Sequence, residues 1–241
     1  MRIIKVSDYK QMSQRAAEHV IGKVRSSDCV TIGLATGGTP EGLYKELIED
    51  HQMNGTSYRC VKSFNLDEYI GLSKEDTNSY FQYMCSNLFS HIDISLDHTY
   101  IPSGMADDIQ KECDRYENLI EEAGGIDLQI LGIGANGHIG FNEPGTSFHS
   151  GTHTVELTAS TREANARYFS SLDEVPRQAV TMGISTIMKS REILLLVSGK
   201  SKQEAMKKLV ENEVSEQFPA SILKNHPNVT IIADSEALEL I

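Results

Sequence analysis

The segment Gly132-Ile133-Gly134-Ala135-Asn136-Gly137-His138-Ile139-Gly140-Phe141-Asn142-Glu143-Pro144-Gly145 carries five glycines, a histidine, two asparagines and a glutamate. A loop needed only for packing has no use for that polar inventory. Histidine exchanges a proton near neutral pH, and Asn136 or Glu143 is close enough in sequence to orient its ring. No nucleophile in a recognisable context accompanies it, so acyl transfer is not indicated. The absence of HExxH or paired-histidine spacing argues against a metal. Two carboxylates, Asp67 and Glu68, follow an apolar run in Phe64-Asn65-Leu66-Asp67-Glu68-Tyr69. Neighbours on a strand point to opposite sides, so only one of them is expected to face a site directly. In isolation the pair reads either as solvated acids in a turn or as a carboxylate base in a cleft.

A third segment, Leu34-Ala35-Thr36-Gly37-Gly38-Thr39-Pro40-Glu41-Gly42, leaves a β-rich run and opens a helical one. Gly37 and Gly38 allow close backbone approach to a ligand. Thr39 is a natural N-cap, and Pro40 suits the first helical position. A helix N-terminus with small neighbours attracts an anion, so the segment reads as a phosphate site or as a tight turn with an ordinary cap. Neither GxxxxGK[ST] nor GxGxxG is present, and a nucleotide is not indicated.

These segments need elements to position them. Apolar runs at 29–35, 60–66, 126–133, 192–198 and 228–233 suit strands buried on both faces. Between them, residues 8–25 place Met12, Ala16, Val20 and Val24 at helical spacing, and 41–52, 79–90, 106–123, 179–189 and 200–212 read similarly. The alternation predicts an α/β fold, a mostly parallel sheet with helices on both faces, whose ligands sit beyond the carboxyl ends of the strands. Residues 145–178 fit no core strand; they read as a long excursion with a small helix, of the kind that serves as a lid. Neither an internal repeat nor a linker is apparent, and the 241 residues are expected to form one domain.

Together the loops closely resemble the glucosamine-6-phosphate deaminases. The matching segments are LATGGTPEG (34–42), NLDEY (65–69), GIGANGHIGFNEPGTS (132–147), TREANARYF (161–169) and Ser198-Gly199-Lys200-Ser201-Lys202, in order and at matching spacing over essentially the whole chain. The resemblance implies a Rossmann-like three-layer α/β/α sandwich related to ribose-5-phosphate isomerase and the sugar lactonases. It implies a cofactor-free reaction in which glucosamine 6-phosphate and water give fructose 6-phosphate and ammonia. In that reaction Asp67 takes the C2 proton and returns it to C1, His138 opens the pyranose ring, and Glu143 is its partner. The phosphate falls to Thr36, Gly37, Gly38, Thr39, Arg167 and Lys202, with Arg162 and Lys200 as near rivals for the two cationic roles.

Two departures qualify the resemblance. Many members carry Asp where Asn136 stands; a neutral amide can orient the imidazole but stabilises its cation less, so Glu143 is expected to matter more. Longer, allosteric members use basic residues after the NEP motif, whereas Phe148-His149-Ser150-Gly151-Thr152-His153-Thr154-Val155 holds no Lys or Arg, and the chain stops at Ile241. A monomer without that regulation is expected.

Composition bounds the alternatives. A net charge of -12 repels nucleic acid and anionic membranes, so a phosphate ester must be held by local backbone N–H groups and one or two cations. The N-terminus lacks an apolar signal region, no stretch is long enough to span a membrane, and a cytoplasmic location follows by default. The four cysteines, Cys29, Cys60, Cys85 and Cys113, form no CxxC pair and are expected to be reduced and mostly buried. A 6-phosphogluconolactonase shares the fold, but that group carries a GHxASLFP-like segment in place of Phe141-Asn142-Glu143-Pro144. A non-catalytic sugar-phosphate sensor has a DNA-binding helix pair, whereas this acidic chain enters its first strand almost at once.

Overall fold

The computed structural model describes all 241 residues apart from the side chains of Ser160, Ala164 and Arg167. Seven strands form one parallel sheet: β1 (Arg2–Val6), β2 (Val30–Leu34), β3 (Val61–Asn65), β5 (Thr99–Tyr100), β6 (Leu128–Leu131), β9 (Ile193–Val197) and β10 (Val229–Asp234). Their order across the sheet is β1-β10-β9-β6-β2-β3-β5. The central strands are apolar throughout because each face is covered. Leu194 and Leu196 of β9 enter one core, while Ile193, Leu195 and Val197 enter the other. Helices α1 (Tyr9–Arg25), α2 (Glu41–Asn54) and α3 (Tyr80–Asn87) close the first face. Helices α4 (Ile109–Glu122) and α7 (Gln203–Glu211) close the second. The result is the expected three-layer α/β/α sandwich.

The five apolar runs each coincide with a strand of this sheet to within a few residues, and the stripe Met12, Ala16, Val20, Val24 lies on the buried face of α1. Asp8 starts that helix by accepting from the Gln11 N–H. Two expectations change. Residues 179–189 are not one helix: Gln178–Thr181 forms β8 and only Ile184–Met188 forms a helix, α6. Asp67–Tyr69 is not a loop but a short strand, β4. The cause is the same in both places. Antiparallel pairing of β8 with β4 and with β7 (His153–Glu156) builds a second, three-stranded sheet from residues distant in sequence, and tertiary pairing overrides local periodicity. The excursion at 145–178 therefore holds β7 as well as the anticipated small helix, α5 (Ala159–Asn165).

The helix after the 34–42 segment also starts differently. Pro40, not Thr39, is the N-cap residue of α2, and no side chain of that turn caps it. Tyr9 from α1 supplies the cap instead, its hydroxyl accepting from the Gly42 N–H at 2.8 Å. Thr39 is thereby left to face the cleft described below. Burial of the cysteines is also less than expected: Cys113 is buried and Cys85 intermediate, but Cys29 and Cys60 are exposed.

Just after β8, Gly183 packs against the 150–151 backbone that leads into β7. A Cβ on Gly183 would lie 2.0 Å from the Gly151 carbonyl oxygen and 2.1 Å from that of Ser150. Backbone on both sides leaves no flexible side chain to move aside. Gly183→Ala is expected to cost about 2 kcal/mol, a fall in Tm of roughly 4–8 °C, read by thermal unfolding; an unchanged Tm would show that the contact yields freely.

Candidate active site

The carboxyl ends of β2, β3 and β6 open into a cleft of about 670 Å³. Thr36, Gly37, Gly38 and Thr39 line one side, Asp67 the floor, Asn136 and His138 another side, and Lys202 the rim. Glu143 stands behind the histidine. Of the rival cations, Lys202 lines the cleft and Lys200 is exposed. Arg162 donates to the carbonyls of Leu172 and Val175 within the excursion. The Arg167 side chain lies outside the described residues.

Asp67 and Glu68 part company as strand alternation requires. Asp67 is buried in the cleft, its Oδ2 beside Gly140. Glu68 turns away and accepts the N–H groups of Tyr69, Tyr80 and Phe81 at 2.9, 2.9 and 3.2 Å. Tyr80 and Phe81 open α3, so Glu68 satisfies the first orphan amides of that helix, where its charge also meets the positive end of the helix dipole. Burial nonetheless outweighs those amides and raises the Glu68 carboxyl to about 7. Burial first, and the neighbouring Glu68 charge second, push Asp67 up to about 8.

The 132–145 loop builds the opposite environment. The His138 ring lies flat against Gly134, where a Cβ would stand 2.3 Å from the ring carbon Cε1; only glycine admits the imidazole there. Glu143 Oε2 is 3.6 Å from His138 Nδ1, a gap that a small rotation turns into a hydrogen bond. Glu143 also accepts from Asn136 Nδ2 at 2.6 Å and from Thr161 Oγ1 at 2.7 Å. Burial alone would raise its pKa, but His138, Thr161 and Asn136 together bring it down to about 2. Of the two residues that could orient the ring, Glu143 is the one beside it, and Asn136 bonds to Glu143 instead. Its amide nitrogen donates to Glu143, and its oxygen accepts the His138 backbone N–H at 3.2 Å. It positions the carboxylate and the loop. Asn142 is structural, tying Ile139 and Met182 carbonyls together.

On the anion side, Gly37 adopts φ 87°, the left-handed region open to glycine. Tyr83 donates to the Gly37 carbonyl at 2.7 Å and Tyr9 to the Gly38 carbonyl at 2.9 Å. In a trans peptide the N–H points opposite the carbonyl, so these braces turn the Gly38 and Thr39 amides away from the tyrosines. Burial lowers the Lys202 pKa. Tyr9, Tyr83, the cleft-lining Tyr80 and Thr161, and the capping role of Glu68 were not legible as site features. Only Thr161 gave a signal, as the first residue of the 161–169 segment. The tyrosines sit on helical stripes that look like any packed face.

The arrangement holds two carboxyls whose environments drive their pKa values apart, which separates a proton-transferring group from a permanently anionic one. Among the described residues no group of three His, Cys, Asp or Glu side chains lies together to hold a metal ion. The fold and the cleft thus define a doubly wound α/β protein with two carboxyls of divergent pKa, a histidine and a glycine-rich turn side by side at the carboxyl ends of its strands. Similarity to known proteins narrows the class. The sequence profile of the glucosamine-6-phosphate isomerases/6-phosphogluconolactonase family matches residues 7–232, and this chain belongs to that family. It is 61% identical to a glucosamine-6-phosphate deaminase of a Geobacillus species over all of this chain and 96% of that one. It is 52% identical to glucosamine-6-phosphate deaminase 1 of Bacillus subtilis, over all of this chain and 99% of the relative. A solved monomeric glucosamine-6-phosphate deaminase superposes with a TM-score of 0.98 at 52% identity, each chain covered completely. A 6-phosphogluconolactonase from Trypanosoma cruzi shares the fold, at TM-score 0.80 and 21% identity over 99% of this chain and 96% of that one.

A carboxyl held near 8 when folded and near its ordinary value of 3.8 when unfolded opposes folding once it must ionise. The folded state holds the extra proton between those values, so stability falls as pH rises through this window. Asp67→Asn removes that opposition. The variant is expected to melt higher than wild type, by several °C at pH 8 and by less at pH 5 (calorimetry at both pH values); a gain independent of pH would place the Asp67 pKa elsewhere.

Proposed function

We propose that this protein is a glucosamine-6-phosphate deaminase of the isomerising type, forming fructose 6-phosphate and ammonia from glucosamine 6-phosphate and water. The observation that carries the proposal is one cleft holding a buried carboxyl raised to about 8, an imidazole backed by a carboxylate lowered to about 2, and an anion-binding turn. Relatives at 61% and 52% identity over the whole chain bear the same activity in their names.

The phosphate is held by the Thr36–Thr39 turn with Lys202 and Arg167. That local cradle offsets the repulsion of an acidic surface. His138 moves a proton between the ring oxygen and the anomeric hydroxyl, and Glu143 stabilises the imidazolium that forms. Asn136 and Thr161 keep Glu143 in place. In the open-chain aldehyde the C2 proton is acidified by the C1 carbonyl. Asp67 removes it to give the enolamine and returns it to C1. The resulting C2 imine adds water and expels ammonia, so no external electron acceptor is required. A base with a pKa close to the working pH is suited to taking and returning one proton. The excursion at 145–178 acts as a lid, since Thr161 and Asn165 on α5 line the cleft and Arg167 follows on the same segment. A monomeric, cytoplasmic enzyme without acetylated-sugar activation completes the proposal. It is supported by the monomeric relative and by the lack of basic residues in Phe148–Val155.

Purified protein mixed with glucosamine 6-phosphate, without metal or nucleotide, is expected to release ammonia and fructose 6-phosphate in equal amounts. Asp67→Asn is expected to lower kcat at least ~10²-fold, and kcat/KM to rise with pH through about 8 as Asp67 ionises. Binding of the sugar phosphate without release would overturn the enzymatic proposal in favour of a sensor. Tyr83→Phe frees the Gly37 carbonyl and is expected to raise KM roughly three- to tenfold with kcat within about twofold. A fall in kcat alone would remove Tyr83 from the phosphate side.

A further inference from the structure

We propose that Cys29 and Cys60 form a dithiol site that a low-molecular-weight disulfide closes to an intramolecular disulfide. The two are far apart in sequence but adjacent in the sheet. β2 and β3 pair in parallel with Val30 opposite Val61, so the residues immediately before them stand opposite each other. Adjacent strands lie about 4.8 Å apart, inside the roughly 4.4–6.8 Å between Cα atoms that a disulfide spans. Side chains at paired positions of neighbouring strands share a face, which puts both thiols on one side, close enough for Cys60 to be the largest influence on the Cys29 thiol. Both cysteines are exposed, in contrast to buried Cys113 and intermediate Cys85. Cys60 first, then partial desolvation and Asp28, push the Cys29 thiol above its ordinary value, with Lys62 opposing them.

The chemistry is two successive thiol–disulfide exchanges. One cysteine thiolate attacks the low-molecular-weight disulfide, breaking its S–S bond, forming a mixed disulfide and expelling the first small thiolate. The second cysteine, its proton lost to solvent, attacks the protein sulfur of that mixed disulfide and expels the second small thiolate. Two protein thiols are oxidised and one small disulfide is reduced to two thiols. The bond would close a loop containing β2, the 34–42 segment and α2. It lies at the amino ends of the strands, about 20 Å from Thr36 by the rise along a strand, so the cleft stays intact.

The reduced full-length protein is incubated with glutathione disulfide at pH 8, then denatured for thiol counting and intact-mass measurement. Loss of two of the four thiols, with the mass lower by two hydrogens and no glutathione retained, is expected. Peptide mapping is expected to join residues 29 and 60, and Tm to rise by roughly 5 °C, reversibly with reductant. Cys29→Ser and Cys60→Ser are each expected to keep a stable glutathione adduct on the remaining exposed cysteine. Retention of all four thiols in the wild type, or stable adducts on both residues, would overturn the proposal. Because the readout is thiol chemistry, it stands or falls independently of the deaminase activity.

Discussion

Two carboxyl groups adjacent in sequence are taken out of water at the end of β3, where the main sheet hands over to the small one. Isolated carboxylates resist such burial by several kcal/mol each, so the surroundings must either satisfy the charge or keep it protonated. The molecule uses one answer for each residue. Glu68 faces the start of α3 and takes three backbone N–H groups. Asp67 faces the cleft with its charge opposed by burial and by Glu68. The split depends on β4 being a strand, because alternation sends the two side chains to opposite sides.

The consequences spread through α3. By holding the first turn of that helix, Glu68 also sets the position of Tyr80, which lines the cleft, and of Tyr83, which grips the Gly37 carbonyl. Tyr9 grips the next carbonyl from the opposite flank and caps α2 with the same hydroxyl. The 36–39 turn and Glu68, the neighbour of Asp67, are therefore joined through hydrogen bonds at the two ends of one short helix. A displacement of Glu68 would reach the 36–39 turn through α3.

The histidine side is built on the reverse principle. Glu143 is also partly withdrawn from water, yet donors surround it: Asn136, Thr161 and the imidazole. Thr161 belongs to α5, so the excursion contributes to the carboxylate's charge state as well as to the wall of the cleft. Two carboxyl groups beside one cleft thus titrate about six pH units apart. The difference lies in donor count, not in depth of burial alone.

Much of this was legible in the order of residues. The five apolar runs specified the five interior strands of the main sheet but not its edges β1 and β5, because only burial on both faces leaves a continuous apolar signature that needs no knowledge of neighbours. The glycine-rich and acidic segments pointed to the chemistry because their residue types are improbable for packing. Strand alternation alone separated Asp67 from Glu68. Other features depended on elements distant along the chain. The Tyr9 cap displaced Thr39, Glu68 found α3, and Asn136 turned to Glu143. Residues 178–181 became a strand against β4 and β7, and Cys29 came to stand opposite Cys60. Short-range propensity and periodicity are written in adjacent residues and can be read there. Which donor meets which acceptor is decided only when the sheet order β1-β10-β9-β6-β2-β3-β5 brings separate segments side by side, since burial then obliges each polar group to pair with whatever the fold has placed within reach.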